Sequence, residues 1–130
     1  MPLRTILIID DTPDHRAILG RLLRAVGYGV VEVSPGAEAL STACSLQPDL
    51  ILTTLSLPGQ LAWETTRLLA DQPALAKTPI LGATLYTTLL PWPRMRAIGC
   101  ADFVAKPFDM DELLGRISAL LSAPTATLAA

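Results

Sequence analysis

One histidine and two cysteines in 130 residues leave little material for a metal centre. Cys44 and Cys100 share no ligand spacing and fall in separate elements, which fits buried free thiols in a reducing cytoplasm. His15, alone and early on the first helix, reads as a solvated side chain. A basic surplus is also missing. The ten Lys and Arg are scattered and outnumbered by twelve acids, for a formal charge of −2, so direct nucleic-acid binding is not expected. Long apolar runs are absent: none approaches the ~20 residues that cross a bilayer. Ile6–Ile9 is too short for a secretory leader and runs straight into Asp10 and Asp11. A cytoplasmic protein without a membrane partner is expected. No repeat or composition break divides the chain, so residues 1–122 read as one domain and 123–130 as a flexible tail or truncated linker.

What is there is apolar residues, 51% of the chain, enough for one sizeable core. They come in alternating short runs and helical periodicities. Leu3 to Ile9 is expected as the first strand. Thr12 and Pro13 then supply an N-cap and first-turn proline for a helix burying Ile18, Leu19, Leu22, Leu23 and Val26, closed by Gly27. Val30 to Val33, with one polar position, reads as an edge strand, and Ser34-Pro35 opens a helix through Ala39, Leu40 and Ala43. Leu50 to Leu55 is the third strand, followed by the turn Leu57-Pro58-Gly59 and a helix from Trp63 to Ala70 that stops before Pro73. Ile80 to Leu85 is the fourth strand. Pro91 and Pro93 leave a short fourth helix reaching Ile98, before a fifth strand, Asp102 to Ala105. Asp109 and Glu112 have the spacing of a reciprocal cap for a last helix burying Leu113, Leu114, Ile117, Leu120 and Leu121.

Five strands, each followed by a helix, with near-continuous apolar central runs, indicate an α/β doubly wound parallel sheet covered on both faces. In such sheets the site lies beyond the carboxyl ends of the strands. Asp10 and Asp11, Thr54 and Ser56, Thr84, and Lys106 should therefore meet in one crevice. A phosphate-cradling glycine loop after the first strand is absent, and Asp10-Asp11-Thr12-Pro13 would repel an anionic cofactor, which disfavours a flavodoxin-type enzyme.

The joint pattern of Ile8-Ile9-Asp10-Asp11, Pro48-Asp49-Leu50-Ile51-Leu52, Leu57-Pro58, Thr78-Pro79-Ile80 with Thr84, and Phe103-Val104-Ala105-Lys106-Pro107-Phe108 resembles the receiver domain of two-component response regulators, over residues 3–122. The resemblance implies a flavodoxin-like fold with strand order 2-1-3-4-5. It implies that Asp10 and Asp11 hold magnesium with the backbone carbonyl of Ser56. Thr84 would supply the hydroxyl that follows a phosphoryl group, Phe103 the aromatic that changes rotamer with it, and Lys106 the phosphoryl contact. Pro107 would follow a cis bond.

The same comparison puts Thr54 where the family has its phosphoacceptor aspartate. A hydroxyl without an adjacent base is a poor nucleophile, and Asp49, five residues earlier on the strand, lies ~16 Å away. The magnesium site is then expected to be vestigial, with Lys106 between Asp10 and Asp11, and Gln60-Leu61-Ala62 shows the neighbouring loop drifting towards apolar. The expected protein is thus a degenerate pseudo-receiver, not an enzyme, without a cofactor beyond weak magnesium. It would act by phosphorylation-independent contact with a signalling kinase, an output protein or a second copy of itself. Leu89, Leu90, Trp92, Arg94 and Phe108, on the face of the fourth helix, fifth strand and fifth helix, would form the partner surface. The alternative is a small-molecule sensor, its pocket lined by Thr54, Leu61, Ala62 and Thr84.

Overall fold

Five strands, β1 (Thr5–Ile9), β2 (Gly29–Val33), β3 (Leu50–Thr54), β4 (Ile80–Thr84) and β5 (Asp102–Ala105), lie parallel in one sheet ordered β2-β1-β3-β4-β5. The structure is a computed structural model and describes residues 3–55, 61–84, 92–105 and 109–122. Helices α1 (Pro13–Ala25), α2 (Ala37–Leu46), α3 (Leu61–Ala70), α4 (Trp92–Ala97) and α5 (Met110–Ser122) connect and cover the strands, with a 3-10 turn at Pro73–Leu75. This is the five-stranded, doubly wound architecture expected from the sequence.

Strand alternation divides the core into two layers. Ile6, Ile8, Leu50, Leu52, Leu81 and Val104 face Leu19, Leu23, Leu113 and Ile117 of α1 and α5. Leu7, Ile9 and Ile51 face the other way, onto Ala39, Trp63, Leu69 and Met95 of α2, α3 and α4. Burial on both faces explains why β3 and β4 read as unbroken apolar runs, every residue being buried. On the edge strand β2 only Val33 is buried, and Glu32 pairs with Arg24 at 3.2 Å.

Several local expectations are corrected. Leu3 precedes β1 and is 64% exposed. The buried stripe of α1 is Leu19, Gly20 and Leu23, while Ile18 (57% exposed), Leu22 and Val26 (53%) face outwards. Gly20 sits against β2, where an added Cβ would meet the carboxylate end of Glu32. Helix α2 begins at Ala37, two residues after Pro35, with Gly36 at its N-cap. In α5 only Leu113 and Ile117 are buried, with Leu114, Leu120 and Leu121 partly so. The reciprocal cap does not form. Asp109 accepts from the Asp111 amide (3.2 Å), while Glu112 lies 3.7 Å from Arg116.

Cys44 and Cys100 are both free thiols. Desolvation pushes Cys100 from 9.0 up to about 12, so it is an inert core side chain.

The turn between α4 and β5 depends on Gly99, whose φ of +113° suits glycine and whose Cα packs against Ala70 of α3. Gly99→Ala is expected to cost about 2–3 kcal/mol, combining backbone strain with a clash on Ala70. Denaturant unfolding with an unchanged m-value would show it, and a loss within experimental error would contradict this role.

Candidate functional site

Register brings the candidate residues to one end of the sheet. Ile9 lies beside Thr53, Thr54 beside Ala83, and Thr84 beside Ala105, so β1, β3 and β4 finish together. Asp10 follows β1 directly and is 1% exposed.

A carboxylate so buried needs hydrogen bonds. One oxygen of Asp10, Oδ1, accepts from the Thr12 amide at 2.8 Å, and the Asp10 amide donates to the Val33 carbonyl at 3.2 Å. Arg16 Nη1 donates to the Asp10 carbonyl (2.5 Å) and to Ser34 Oγ (3.1 Å), tying α1 to the ends of β1 and β2. His15 Nδ1 stands 3.9 Å from Asp10 Oδ2, a pairing that carries charge only when the imidazole is protonated. Asp11 is exposed and accepts from the Thr12 hydroxyl at 3.3 Å. Thr12 holds the N-cap position of α1, but its hydroxyl is turned to Asp11 and makes no cap hydrogen bond.

The two threonines ending β3 point to opposite faces, as alternation requires. Thr53 Oγ1 meets Thr66 Oγ1 at 3.3 Å, and Thr66 donates to the Ala62 carbonyl at 2.8 Å, which fastens α3 to β3. Thr54 Oγ1 donates to the Ile9 carbonyl at 3.4 Å, a long bond that ties the end of β3 to β1 beside Asp10. Thr54 and Thr84 are both buried.

At the β5 edge, Trp92 stacks on Phe103 with centroids 5.5 Å apart and planes at 26°. Arg116 Cζ lies 5.8 Å from the Phe103 centroid, and its Nη1 donates to both oxygens of Asp102 at 2.8 and 2.9 Å. Trp92 is partly buried and packs on the core, and Arg94 is exposed.

Ser56, Lys106, Pro107, Phe108, Leu89 and Leu90 lie outside the described residues, as do Leu57-Pro58-Gly59, Gln60, Leu85, Pro91 and the tail 123–130.

The described donor set does not fit a magnesium ion held by carboxylates. It offers two carboxylates, one exposed and one with an oxygen committed to the Thr12 amide, and a neutral hydroxyl at Thr54. Among the described residues no group of three or more His, Cys, Asp or Glu is placed to hold a metal. Of the residues expected to line a ligand pocket, Thr54, Ala62 and Thr84 are buried and Leu61 is exposed. A cleft of about 420 Å³ opens at the other end of the sheet, among Arg4, Asp49, Lys77, Thr78 and Leu121.

Sequence reasoning missed Arg16 and Arg116. Arg16 had a faint signal, as a cation on the second turn of a helix that starts beside two acids. For Arg116 the signal was Glu112 four residues earlier, at ion-pair spacing.

The fold and the acidic end of β1 define a doubly wound α/β domain with its candidate site at the carboxyl ends of the strands. The sequence profile of the response regulator receiver domain matches residues 6–118, and the chain belongs to that family. It is similar to the DNA-binding response regulator MtrA of Mycolicibacterium smegmatis, 34% identical over 89% of this chain and 50% of that one. It is also similar to the CAI-1 autoinducer sensor kinase/phosphatase CqsS of Vibrio cholerae, 33% identical over 89% of this chain and 17% of that one. The chain thus spans half or less of these two relatives. Among solved structures, the receiver domain of a sensor histidine kinase from Pseudomonas aeruginosa PAO1, described with magnesium in its active-site cleft, superposes with a TM-score of 0.81 at 27% identity, covering 94% of this chain and all of that one. No helix among the described residues is long and apolar enough to cross a membrane.

Thr54→Asp would bury a second carboxylate beside Asp10. Without divalent cation it is expected to lose about 1–3 kcal/mol of stability at neutral pH, through desolvation and like-charge repulsion. Added magnesium should recover part of that loss in the variant and leave the wild type unmoved. Equal stability with and without magnesium in the variant would contradict this picture of the site.

Proposed function

We propose that this receiver domain signals through protein contact without taking a phosphoryl group. The observation that carries the reading is Thr54, at the β3 end where the family resemblance places the acceptor carboxylate. Its hydroxyl proton is directed to the Ile9 carbonyl rather than to a base. Acyl-phosphate formation needs an ionised oxygen in line with the donor and a cation to neutralise charge. Thr54 supplies neither the ionised oxygen nor the third carboxylate for the cation.

The role is regulatory rather than catalytic. Partners are a signalling kinase or an output protein, as expected for a family whose members here include a DNA-binding regulator and a sensor kinase, with a second copy as the other candidate. Two faces suit contact. One joins α4, β5 and α5, with Arg94 and Arg96 exposed. The other is α1, where Ile18, Leu22 and Val26 recur every four residues as an outward apolar stripe beside Arg21, suited to the apolar seam of an acidic-flanked helix. Because no phosphoryl group biases the domain, the surface is available whenever the protein is folded.

Intact mass after incubation with acetyl phosphate and magnesium tests this, with Thr54→Asp alongside. Wild type is expected to gain nothing. A gain of one phosphoryl group on wild type would overturn the proposal.

A further inference from the structure

The β5 edge joins Phe103, which the family resemblance makes a movable aromatic, to two residues that the resemblance leaves without a role, Trp92 and Arg116. Strand β5 ends the sheet, so α4 and α5, packed on opposite faces, have no further strand between them at this edge. Helix α4 has six residues and one buried side chain, Met95, too little apolar burial to hold a helix by itself. Beside Met95 in the core, the ring of Phe103 gives α4 a second attachment. Trp92, the first residue of α4, stacks on that ring at 5.5 Å, and the guanidinium of Arg116, from α5, lies 5.8 Å from the same centroid. Asp102, the neighbour of Phe103 on β5, fixes the guanidinium with two hydrogen bonds from Nη1, and its Oδ1 also accepts from the Phe103 amide at 2.8 Å. Glu112 adds a carboxylate 3.7 Å from Arg116 Nε.

We infer that Trp92, Phe103 and Arg116 form a latch around the sheet edge that holds α4, β5 and α5 in one arrangement, with Asp102 as the residue that positions it. The inference deepens the partner-contact reading and rests on it for its meaning: a surface that presents itself without a phosphoryl signal has to be kept in its competent shape by internal contacts. A Phe103 ring engaged by both an indole and a guanidinium cannot change rotamer without losing both contacts. Arg116 is thereby committed within the chain, leaving Arg94 and Arg96 as the cations this face offers to a partner.

Native-state hydrogen exchange on the whole chain, without phosphodonor or magnesium, tests the latch. The reporters are the amides of Ile98, Gly99 and Cys100, which bond to carbonyls of Arg94, Arg96 and Met95 in α4, and the reference is Ile51 in β3, bonded to the Pro79 carbonyl. Arg116→Gln is expected to speed exchange at the three reporters about threefold to tenfold while leaving Ile51 unchanged. Asp102→Asn should act in the same direction with a smaller effect. Arg116→Lys, which keeps the ion pair but not the planar contact, should fall between wild type and Arg116→Gln. Unchanged reporters in Arg116→Gln, or acceleration at Ile51 to the same degree, would overturn the latch. Because no phosphoryl chemistry enters this readout, a wild type that did accept a phosphoryl group would sink the partner-contact proposal through its mass and leave these rates unaffected.

Discussion

Everything at the carboxyl end of the sheet is arranged around one buried carboxylate. Asp10 leaves β1 with almost no exposure, and its group must be satisfied locally or protonated. The chain meets this with the Thr12 amide on one oxygen, the β2 carbonyl of Val33 on its own amide, and the Arg16 guanidinium on its carbonyl. These bonds set where α1 starts, how β2 ends and where Ser34 is held. The acidic corner thus serves as a structural joint, whatever else it binds.

Beside that joint the two threonines of β3 divide the work. Thr53 belongs to the packing of α3 through Thr66, and Thr65 of the same helix accepts from the Gly36 amide at the head of α2. Thr54 closes the gap between β3 and β1 with a neutral hydroxyl, where a carboxylate would add charge next to Asp10. A neutral residue there lowers the electrostatic cost of the corner.

Element identity was legible because β3 and β4 are buried on both faces and read as apolar runs, whereas the strand order came from the family resemblance. Asp102–Ala105 was read to the residue. Faces of helices were less legible: periodicity on α1 put Ile18, Leu19, Leu22, Leu23 and Val26 on one buried face, and packing buries only Leu19 and Leu23 of them. Caps were half-legible: Asp109 accepts from the Asp111 amide in the first turn of α5, while Thr12 turns to the adjacent Asp11 and Glu112 to Arg116, four residues on. Asp10, Thr54 and Thr84 lie at strand ends, where the sheet rule put them, while the hydrogen bonds of Arg16 to Ser34 and of Arg116 to Asp102 join residues far apart in the chain that sequence spacing does not announce.

The most direct measurement is the amide and Trp92 indole NMR spectrum of the wild-type protein before and after adding magnesium with beryllofluoride, a mimic of the phosphoryl group on a carboxylate. With Thr54 at the acceptor position there is no carboxylate there for the mimic, so the two spectra should superimpose, including the signals of Thr84, Phe103 and α4. Saturable shifts at Asp10, Thr54 and Thr84 that spread to Phe103 and Trp92 would contradict a domain whose surface is independent of phosphoryl chemistry.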